Sequence, residues 1–205
     1  MKTNIPKDKE EKIFQVALTE FAKEGYKNTS TNNIVKKCNI SKGALFNYFD
    51  NKHNLYLYVV RKSLKIIEEE MISKMNNLSS DMFERVFQVQ KIKIVSFLKY
   101  PRESQIILEV FSTEEENFRE DLKDEYKYYE DMARRVTNEN IDYSKFKEGV
   151  DIQQVFTTLL LISYGYKEYL GSKILGDFNV VLENIDEILK VLEGCINLIK
   201  NSVYK

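Results

Sequence analysis

Apolar residues recur every three or four positions along almost the whole chain, which is the spacing of one face of an α-helix. The 205 residues include only 2 Pro and 7 Gly, so residues that favour turns are scarce. Strand-rich sandwiches and barrels need frequent turns, and this composition disfavours them. The sequence therefore predicts an all-α fold of about nine helices.

The bounds of these helices follow from the apolar faces and from residues that cap or break helices. They are predicted at residues 7–24, 31–38, 42–49, 52–75, 81–100, 101–111, 114–138, 151–175 and 179–203, and the longest loop at 140–149. Gly25 suits the left-handed position that follows a helix, and Asn39 is one of the few other residues that tolerate positive φ. Thr29 and Ser30 are cap candidates for the second helix, and Ser41 is the cap candidate for the third.

The sequence contains few of the side chains that commonly form catalytic or metal sites, with one His and two Cys. The single histidine, His53, excludes a Ser-His-Asp triad and a multi-histidine metal site. Cys38 and Cys195 lie far apart, so neither a disulfide framework nor a zinc site is supported, and we interpret both as small core residues. We expect no catalytic residues, no metal and no cofactor, although an enzyme that uses only carboxylates, Lys or Tyr stays open. His53 is most simply a solvated side chain.

Membrane and export signals are missing from the pattern. The longest uninterrupted aliphatic stretch is Leu159 to Ile162, and the first residues, MKTNIPKDKEEK, are polar. We therefore expect a cytoplasmic protein with no membrane partner.

Charge is distributed unevenly along the chain. Residues 1–62 hold 12 Lys and Arg against 6 Asp and Glu, whereas residues 63–205 hold 19 against 26. A basic first third attached to an acidic body favours a modular protein that binds a polyanion.

Two short predicted helices lie within this basic region and are joined by the turn at residues 38–41, which is the sequence form of a helix-turn-helix. In the second helix, KGALFNYF, Leu45 and Phe49 are spaced to face the core. The residues left for its outer face offer donors, a small apolar contact and a phenol to a major groove, and they are Lys42, Ala44, Asn47 and Tyr48. Gly43 adds a bare backbone amide near the helix N-terminus, where a phosphate is favoured.

The stretch from Ile13 to Leu55 resembles the DNA-binding domain of the TetR family of bacterial transcriptional regulators. The ordered positions that fit the family pattern are Phe21, Gly25, Tyr26, Thr29, Ser30, Ile34, Ile40, Ser41, Gly43, Leu45, Tyr48, Phe49, Lys52 and Leu55. The departures are Val35 and Cys38 in place of small alanines, Asn39 in place of glycine and Phe46 in place of tyrosine.

The resemblance implies a helix-turn-helix DNA-binding domain over residues 1–52 and a helical effector-binding and dimerisation domain over residues 53–205. It implies that Ser30 and Thr31 start the helix that abuts the DNA backbone. It also assigns base-edge contacts to Lys42, Ala44 and Asn47, and phosphate contacts to Ser41, Gly43, Tyr48 and Lys52.

Homodimerisation through the last two helices is a further implication, and the sequence offers a face for it. An apolar stripe at three-four spacing consists of Val181, Ile185, Ile188, Leu192, Ile196, Ile199 and Val203, and the preceding helix repeats the pattern with Val155, Leu159, Ile162 and Tyr166. The alternative is that these residues form only an intramolecular core.

The resemblance places an effector pocket among the central helices, where aromatic residues are dense. The candidate lining residues are Phe83, Phe87, Phe97, Phe111, Tyr126, Tyr129 and Tyr164. They favour an apolar or aromatic small molecule, although an aromatic stripe can equally be plain core. Glu109 and Glu168 are either surface acids or buried carboxylates that would select a cationic ligand.

The hypothesis that unites these features is a ligand-responsive transcriptional repressor. As a homodimer it would bind a palindromic double-stranded DNA operator and be released by a small-molecule effector. The alternatives are an all-α enzyme without a recognisable catalytic set, and a DNA-binding activator or scaffold without a ligand.

Overall fold

A computed structural model describes residues 5–112, 116–174 and 178–205. The predicted all-α class is confirmed. The described helices are α1 Lys7–Asn28, α2 Thr31–Cys38, α3 Lys42–Phe49, α4 Lys52–Lys74, α5 Met82–Lys99, α6 Pro101–Ser112, α7 Glu116–Asp121, α8 Lys123–Asn138, α9 Ile152–Ile174, α10 Phe178–Glu183 and α11 Ile185–Val203. A 3-10 helix, Tyr143–Lys145, lies in the predicted long loop.

Two predicted helices are each a pair of helices in the structure. The segment predicted at 114–138 is interrupted at Leu122, and the segment predicted at 179–203 is interrupted at Asn184. Each interruption is a single residue inside an apolar helical pattern, so the periodicity of the sequence continues across it.

The predicted breaks of the first third are confirmed in most details. Gly25 has φ 71, but the helix resumes beyond it and α1 ends at Asn28 instead of Glu24. Asn39 adopts the left-handed conformation, with φ 56 and ψ 47, and thereby ends α2 as a glycine would. Pro101 opens α6.

The chain forms two compact units. The first comprises Met1–Glu70 and Tyr100–Lys123, and in it α1 packs against α2 and α6. Its core includes Phe14, Phe21 and Leu55, each fully buried. This unit therefore contains the whole helix-turn-helix together with helices from beyond residue 52. The functional division of the chain at residue 52 stays a prediction.

The second unit comprises Met71–Lys99 and Asp124–Lys205, and in it α11 packs against α5 and α9. Its polar centre is Asp81, which is 2% exposed and receives Lys145 at 3.0 Å and Lys200 at 3.5 Å. The backbone amide of Phe83 also donates to Asp81, at 3.1 Å. Lys145 belongs to the 3-10 helix and Lys200 to α11, so these contacts join the start of α5 to both segments.

The apolar stripe that the sequence offers for a dimer extends over α10 and α11 and lies largely inside the second unit. Its buried members are Val181, Ile188, Leu192 and Ile196, and Leu192 is 0% exposed. The intramolecular alternative therefore accounts for these four residues. Apolar side chains that are exposed lie elsewhere on the same helices, and they are Leu160, Leu161, Tyr164, Leu182, Val191 and Leu198.

The two cysteines differ. Cys38 is buried, as predicted, and burial raises the pKa of its thiol. Cys195 is exposed, so its interpretation as a core residue is wrong. In the described part of the chain, no helix is both long enough and apolar enough to cross a membrane.

Candidate DNA-binding surface

Helix α3 presents the outer face that the sequence predicts. Leu45 and Phe49 are 1% and 2% exposed and anchor the helix in the core. Lys42 and Asn47 are exposed on the opposite side, and Ala44 is partly exposed. The helix is thus fixed by its apolar side, and its polar side remains accessible to a groove of DNA.

The N-terminus of α3 is held by Ser41. The Ser41 hydroxyl oxygen accepts a hydrogen bond from the backbone amide of Ala44 at 3.1 Å, which confirms the predicted cap. Gly43 is exposed and lies in the first turn, where helix amide groups attract anions. This geometry suits the phosphate contacts that the resemblance implies for Ser41 and Gly43, which stay proposals.

Helix α2 begins with less local support. Ser30 occupies the N-cap position, but its side chain makes no capping hydrogen bond, so the predicted cap is wrong there. Thr29 is buried instead, and its hydroxyl donates to the carbonyl oxygens of Glu20 at 3.1 Å and Gly25 at 2.7 Å. The Thr29 side chain therefore stabilises the end of α1 and does not cap α2. Ser30 and Thr31 are both partly exposed at the start of α2.

An ion pair between a buried carboxylate on α1 and an exposed ammonium on α2 joins the two helices. Glu20 is 5% exposed, and the Lys37 ammonium lies 2.6 Å from its carboxylate. The two residues are 17 positions apart on facing helices, so no spacing rule within one helix would have found them. The pair compensates a carboxylate that would otherwise be buried without a partner.

Two of the predicted phosphate-contacting residues have intramolecular roles. The Lys52 ammonium donates to the carbonyl oxygen of Lys27 at 3.0 Å and lies 4.9 Å from the ring centroid of Tyr26, and burial lowers its pKa. Tyr48 is partly buried with its ring edge-on to Phe49. Lys52 and Tyr48 as phosphate contacts stay proposals, and Lys52 is also an anchor for the end of α1.

His53 is not the simple solvated side chain that the sequence suggests. Its Nε2 lies 2.6 Å from an Asp121 carboxylate oxygen, and its ring stacks on Phe118 at 4.8 Å. Arg61 donates to the Asp121 carbonyl oxygen at 2.7 Å. These contacts fasten α7 to the first turns of α4, just after the predicted DNA-contacting residues.

Glu109 is not a surface acid, because it is partly buried and accepts two hydrogen bonds. It is partly buried on α6, and its two carboxylate oxygens accept from the backbone amide of Tyr26 at 2.9 Å and from the Tyr56 hydroxyl at 3.1 Å. Neither sequence prediction for Glu109, a surface acid or a carboxylate that selects a cationic ligand, includes these two bonds, because nothing in the pattern links α6 to the end of α1. The side chain of Glu168 lies outside the described residues.

A cleft of about 310 Å³ opens beside this carboxylate in the first unit. Its walls consist of Glu24, Gly25, Tyr26, Lys27, Asn28, Tyr56, Glu109, Val110 and Phe118. None of the seven aromatic residues predicted to line an effector pocket belongs to these walls.

Those seven residues have varied surroundings. Phe111 belongs to the first unit and the others to the second. Phe83 is 1% exposed, with its ring centroid 6.1 Å from that of Phe146 and 5.0 Å from that of Tyr204. Tyr164 is 57% exposed. Partial burial is shared by Phe87, Phe97, Phe111, Tyr126 and Tyr129.

The helix-turn-helix region matches a known family model. Residues 13–59 match the model described as "Bacterial regulatory proteins, tetR family". Over 51 residues, the chain is 49% identical to the uncharacterized HTH-type transcriptional regulator YuxN of Bacillus subtilis (strain 168). That match covers 25% of this chain and 18% of the relative.

Other similarities extend over most of the chain. An HTH-type transcriptional regulator of Staphylococcus aureus (strain USA300) is 22% identical over 75% of this chain and 80% of its own length. A TetR family transcriptional regulator from Chloroflexus aurantiacus has a similar solved structure, with a TM-score of 0.63, 19% identity, and coverage of 98% and 96% of the two chains. The transcriptional regulator FadR from Bacillus subtilis, solved in complex with stearoyl-CoA, has a TM-score of 0.59 at 14% identity and coverage of 93% and 97%. At such identities the two solved structures establish the fold.

Proposed function

Because the chain is a transcriptional regulator of the TetR family, we propose that two copies of it bind a palindromic DNA operator and that a small-molecule effector releases them. The observation that carries DNA reading is the outer face of α3, where Lys42 and Asn47 are exposed beside the capped, amide-rich N-terminus of the helix. Lys42 and Asn47 have the donors that suit base edges, and the first turn has the amide groups that suit phosphates.

Selection of bound duplexes from a random-sequence pool tests this proposal. The expected product is one enriched sequence with two inverted half-sites, whose centres are separated by about one helical turn or a multiple of it. Affinity for that duplex should fall steeply with added salt, because Lys and Arg side chains displace counterions from the phosphates. A pool without enrichment after repeated rounds would remove sequence-specific DNA binding from the proposal.

We propose that the homodimer forms through the exposed apolar faces of α9 and α11. On α11 the face is Val191, Gly194, Cys195 and Leu198, of which Leu198 is 71% exposed. On α9 it includes Leu161, which is 65% exposed, together with Tyr164 and Gly165. A Cβ added at Gly165 or Gly194 would meet nothing within 4 Å, so both glycines lie on open surface. Exposed apolar residues spaced along two helices favour a protein partner, and a second copy satisfies them symmetrically.

Light scattering across a dilution series tests this interface. Leu198→Glu should yield monomers, because it buries two like charges near a two-fold axis, whereas Asn197→Glu, an adjacent exposed substitution, should leave the dimer intact. A wild-type chain that stays monomeric at micromolar concentration would contradict the proposal. So would a Leu198→Glu variant that still dimerises as tightly as the wild type.

We propose that the effector is an apolar or aromatic small molecule bound in the second unit, with Phe83, Phe87, Phe97, Tyr126 and Tyr129 as its candidate lining. Long-chain acyl-CoA is the first compound to test, because the structurally similar FadR of B. subtilis was solved with stearoyl-CoA. Operator affinity should be measured with stearoyl-CoA and, as controls, with free CoA and with stearate. Operator binding that is weakened by stearoyl-CoA, but not by free CoA or stearate, would support long-chain acyl-CoA as the effector class. The same operator affinity with all three compounds would exclude that class.

Repression is the regulatory sense that we propose, since an operator-bound dimer blocks access of polymerase to overlapping DNA. The names of the relatives as transcriptional regulators favour regulation over the enzyme alternative. In vitro transcription from a template that carries the selected duplex at its promoter should fall on addition of the protein. An increase in transcript would identify an activator instead.

A further inference from the structure

The carboxylate of Glu109 fixes the last turn of α1, which leads directly into the helix-turn-helix. The backbone is kinked at Gly25, and beyond the kink the amide of Tyr26 donates to a Glu109 oxygen at 2.9 Å. The other oxygen of the same carboxylate accepts from the Tyr56 hydroxyl on α4 at 3.1 Å. One side chain of α6 thus joins the end of α1 to α4.

Gly25 permits this close approach in two ways. Its φ of 71 is a conformation that residues with a Cβ rarely adopt. A Cβ at this position would also lie 3.2 Å from the nearer Glu109 carboxylate oxygen. A residue with a Cβ at 25 would therefore be strained by its positive φ and would require the Glu109 carboxylate to shift by a few tenths of an ångström.

Lys52 holds the same turn from its other side. Its ammonium bonds to the Lys27 carbonyl oxygen at 3.0 Å and contacts the Tyr26 ring. Thr29 follows at once, and its hydroxyl bonds back to the Gly25 carbonyl oxygen at 2.7 Å. Residues 25–28 are therefore fixed between α4 and α6, and the next residues, Ser30 and Thr31, begin α2.

We propose that Glu109 is a positioning residue for DNA recognition. By anchoring the Tyr26 amide, it fixes the end of α1 and so sets the orientation in which α2 and α3 meet an operator half-site. This role rests on the proposed operator binding. It assigns a contribution to recognition to α6, which lies outside residues 13–59, the part of the chain that matches the family model. Glu109 itself acts through the backbone of residues 25–28.

Three substitutions at position 109 test separately the length and the charge of the side chain. Glu109→Asp keeps the charge but is one methylene too short to span both donors. Glu109→Gln removes the charge and keeps the length, since its amide oxygen can accept from Tyr26 and its NH₂ can donate to the Tyr56 oxygen. Glu109→Ala removes both. Gln105→Ala, an exposed position on the same helix, is the matched control.

The first measurement is selectivity, which is the ratio of affinities for the duplex selected by the wild type and for a scrambled duplex of the same composition. Glu109→Asp and Glu109→Ala should lower this ratio about tenfold, whereas Glu109→Gln should stay within about threefold of the wild type. A reversed order, with Gln damaging and Asp harmless, would assign Glu109 a purely electrostatic effect and overturn the proposal. An unchanged ratio in folded Asp and Ala variants would also overturn it. If Glu109→Ala does not fold, the Asp and Gln pair still decides.

The second measurement needs no DNA. Hydrogen exchange of the Tyr26 amide should accelerate in Glu109→Asp and Glu109→Ala but remain slow in Glu109→Gln and Gln105→Ala. Equal protection of this amide in all four variants would contradict the anchor itself. A wild type that selects no duplex would remove the proposed function before any Glu109 variant is made, so the two failures are distinguishable.

Discussion

Helices α3 and α11 are both amphipathic, but they differ in the number of apolar faces that they carry. In α3 the predicted inner residues Leu45 and Phe49 are buried, and the predicted outer residues Lys42 and Asn47 are exposed. In α11 the stripe offered for a partner chain is buried within its own unit, as Leu192 illustrates. The difference arises because α3 has a single apolar face and α11 has two, and helical periodicity does not say which of two faces belongs to the same chain.

The largest expected effect separates the two faces of α11. Leu192→Ala should lower the free energy of unfolding by roughly 2–5 kcal/mol, since it leaves a cavity at a fully buried position. Leu198→Ala, at a position 71% exposed in the single chain, should change the free energy of unfolding of the dissociated chain by less than about 0.5 kcal/mol. Urea unfolding of both variants, at a protein concentration low enough to dissociate the proposed dimer, checks this. Similar losses at the two positions would break the distinction between an inner and an outer face.

The next effect concerns the outer face of α3. Asn47→Ala should weaken binding to the selected duplex by about 1–3 kcal/mol at one base pair per half-site, because it removes an amide suited to a base edge. Binding to a scrambled duplex should be unchanged. Repeating the duplex selection with the variant checks this result. A selected sequence identical to that of the wild type would remove Asn47 from the reading face.

A smaller effect compares the two serines at helix starts. Ser41→Ala should destabilise the protein by about 1 kcal/mol, since the hydroxyl oxygen caps α3 through the Ala44 amide. Ser30→Ala should cost much less, because the Ser30 side chain makes no such bond. Thermal unfolding of the pair measures the difference. Equal losses would show that a capping bond does not distinguish α3 from α2.

The smallest predicted effect is a loss of stability of the second unit that occurs only at acidic pH. Burial opposes the ionisation of Asp81, but hydrogen bonds from Lys145 and the Glu84 amide, with the charge of Lys200, hold its pKa below the ordinary value. The stability that Asp81 contributes is therefore present above about pH 4 and is lost as the pH falls through the lowered pKa of the folded state.

Urea unfolding of the wild type and of Asp81→Asn, from pH 7 down to pH 3, checks this dependence. The difference between their midpoints should be constant near neutrality and should shrink as the pH falls below about 4. A difference that does not change with pH would mean that the charge of Asp81 does not stabilise the second unit.

Local features of the fold could be predicted because their causes are local. The left-handed end of α2 at Asn39, the cap of α3 at Ser41 and the start of α6 at Pro101 each depend on one residue and its neighbours in the chain. The DNA-binding segment was identified on the same grounds, since its pattern of glycine, hydroxyl and aromatic positions is contiguous.

Features that depend on distant residues could not be predicted. Glu20 and Lys37 pair across two helices, and Glu109 bonds to an amide 83 positions earlier, so neither contact leaves a periodic signal. The sequence alone leaves His53 solvated, because its partner Asp121 lies 68 positions away. The seven aromatic residues show the same limit, since helical spacing predicts an apolar face without distinguishing a packed core from the wall of a pocket.

We propose that two copies of this chain read DNA together, one on each half-site. Fluorescence anisotropy with the selected duplex, and with the same duplex after one half-site is scrambled, tests this cooperation. Affinity for the half-scrambled duplex should be at least about tenfold lower, because one helix-turn-helix domain has too few base contacts for specific binding at physiological salt. Equal affinities for the two duplexes would contradict it.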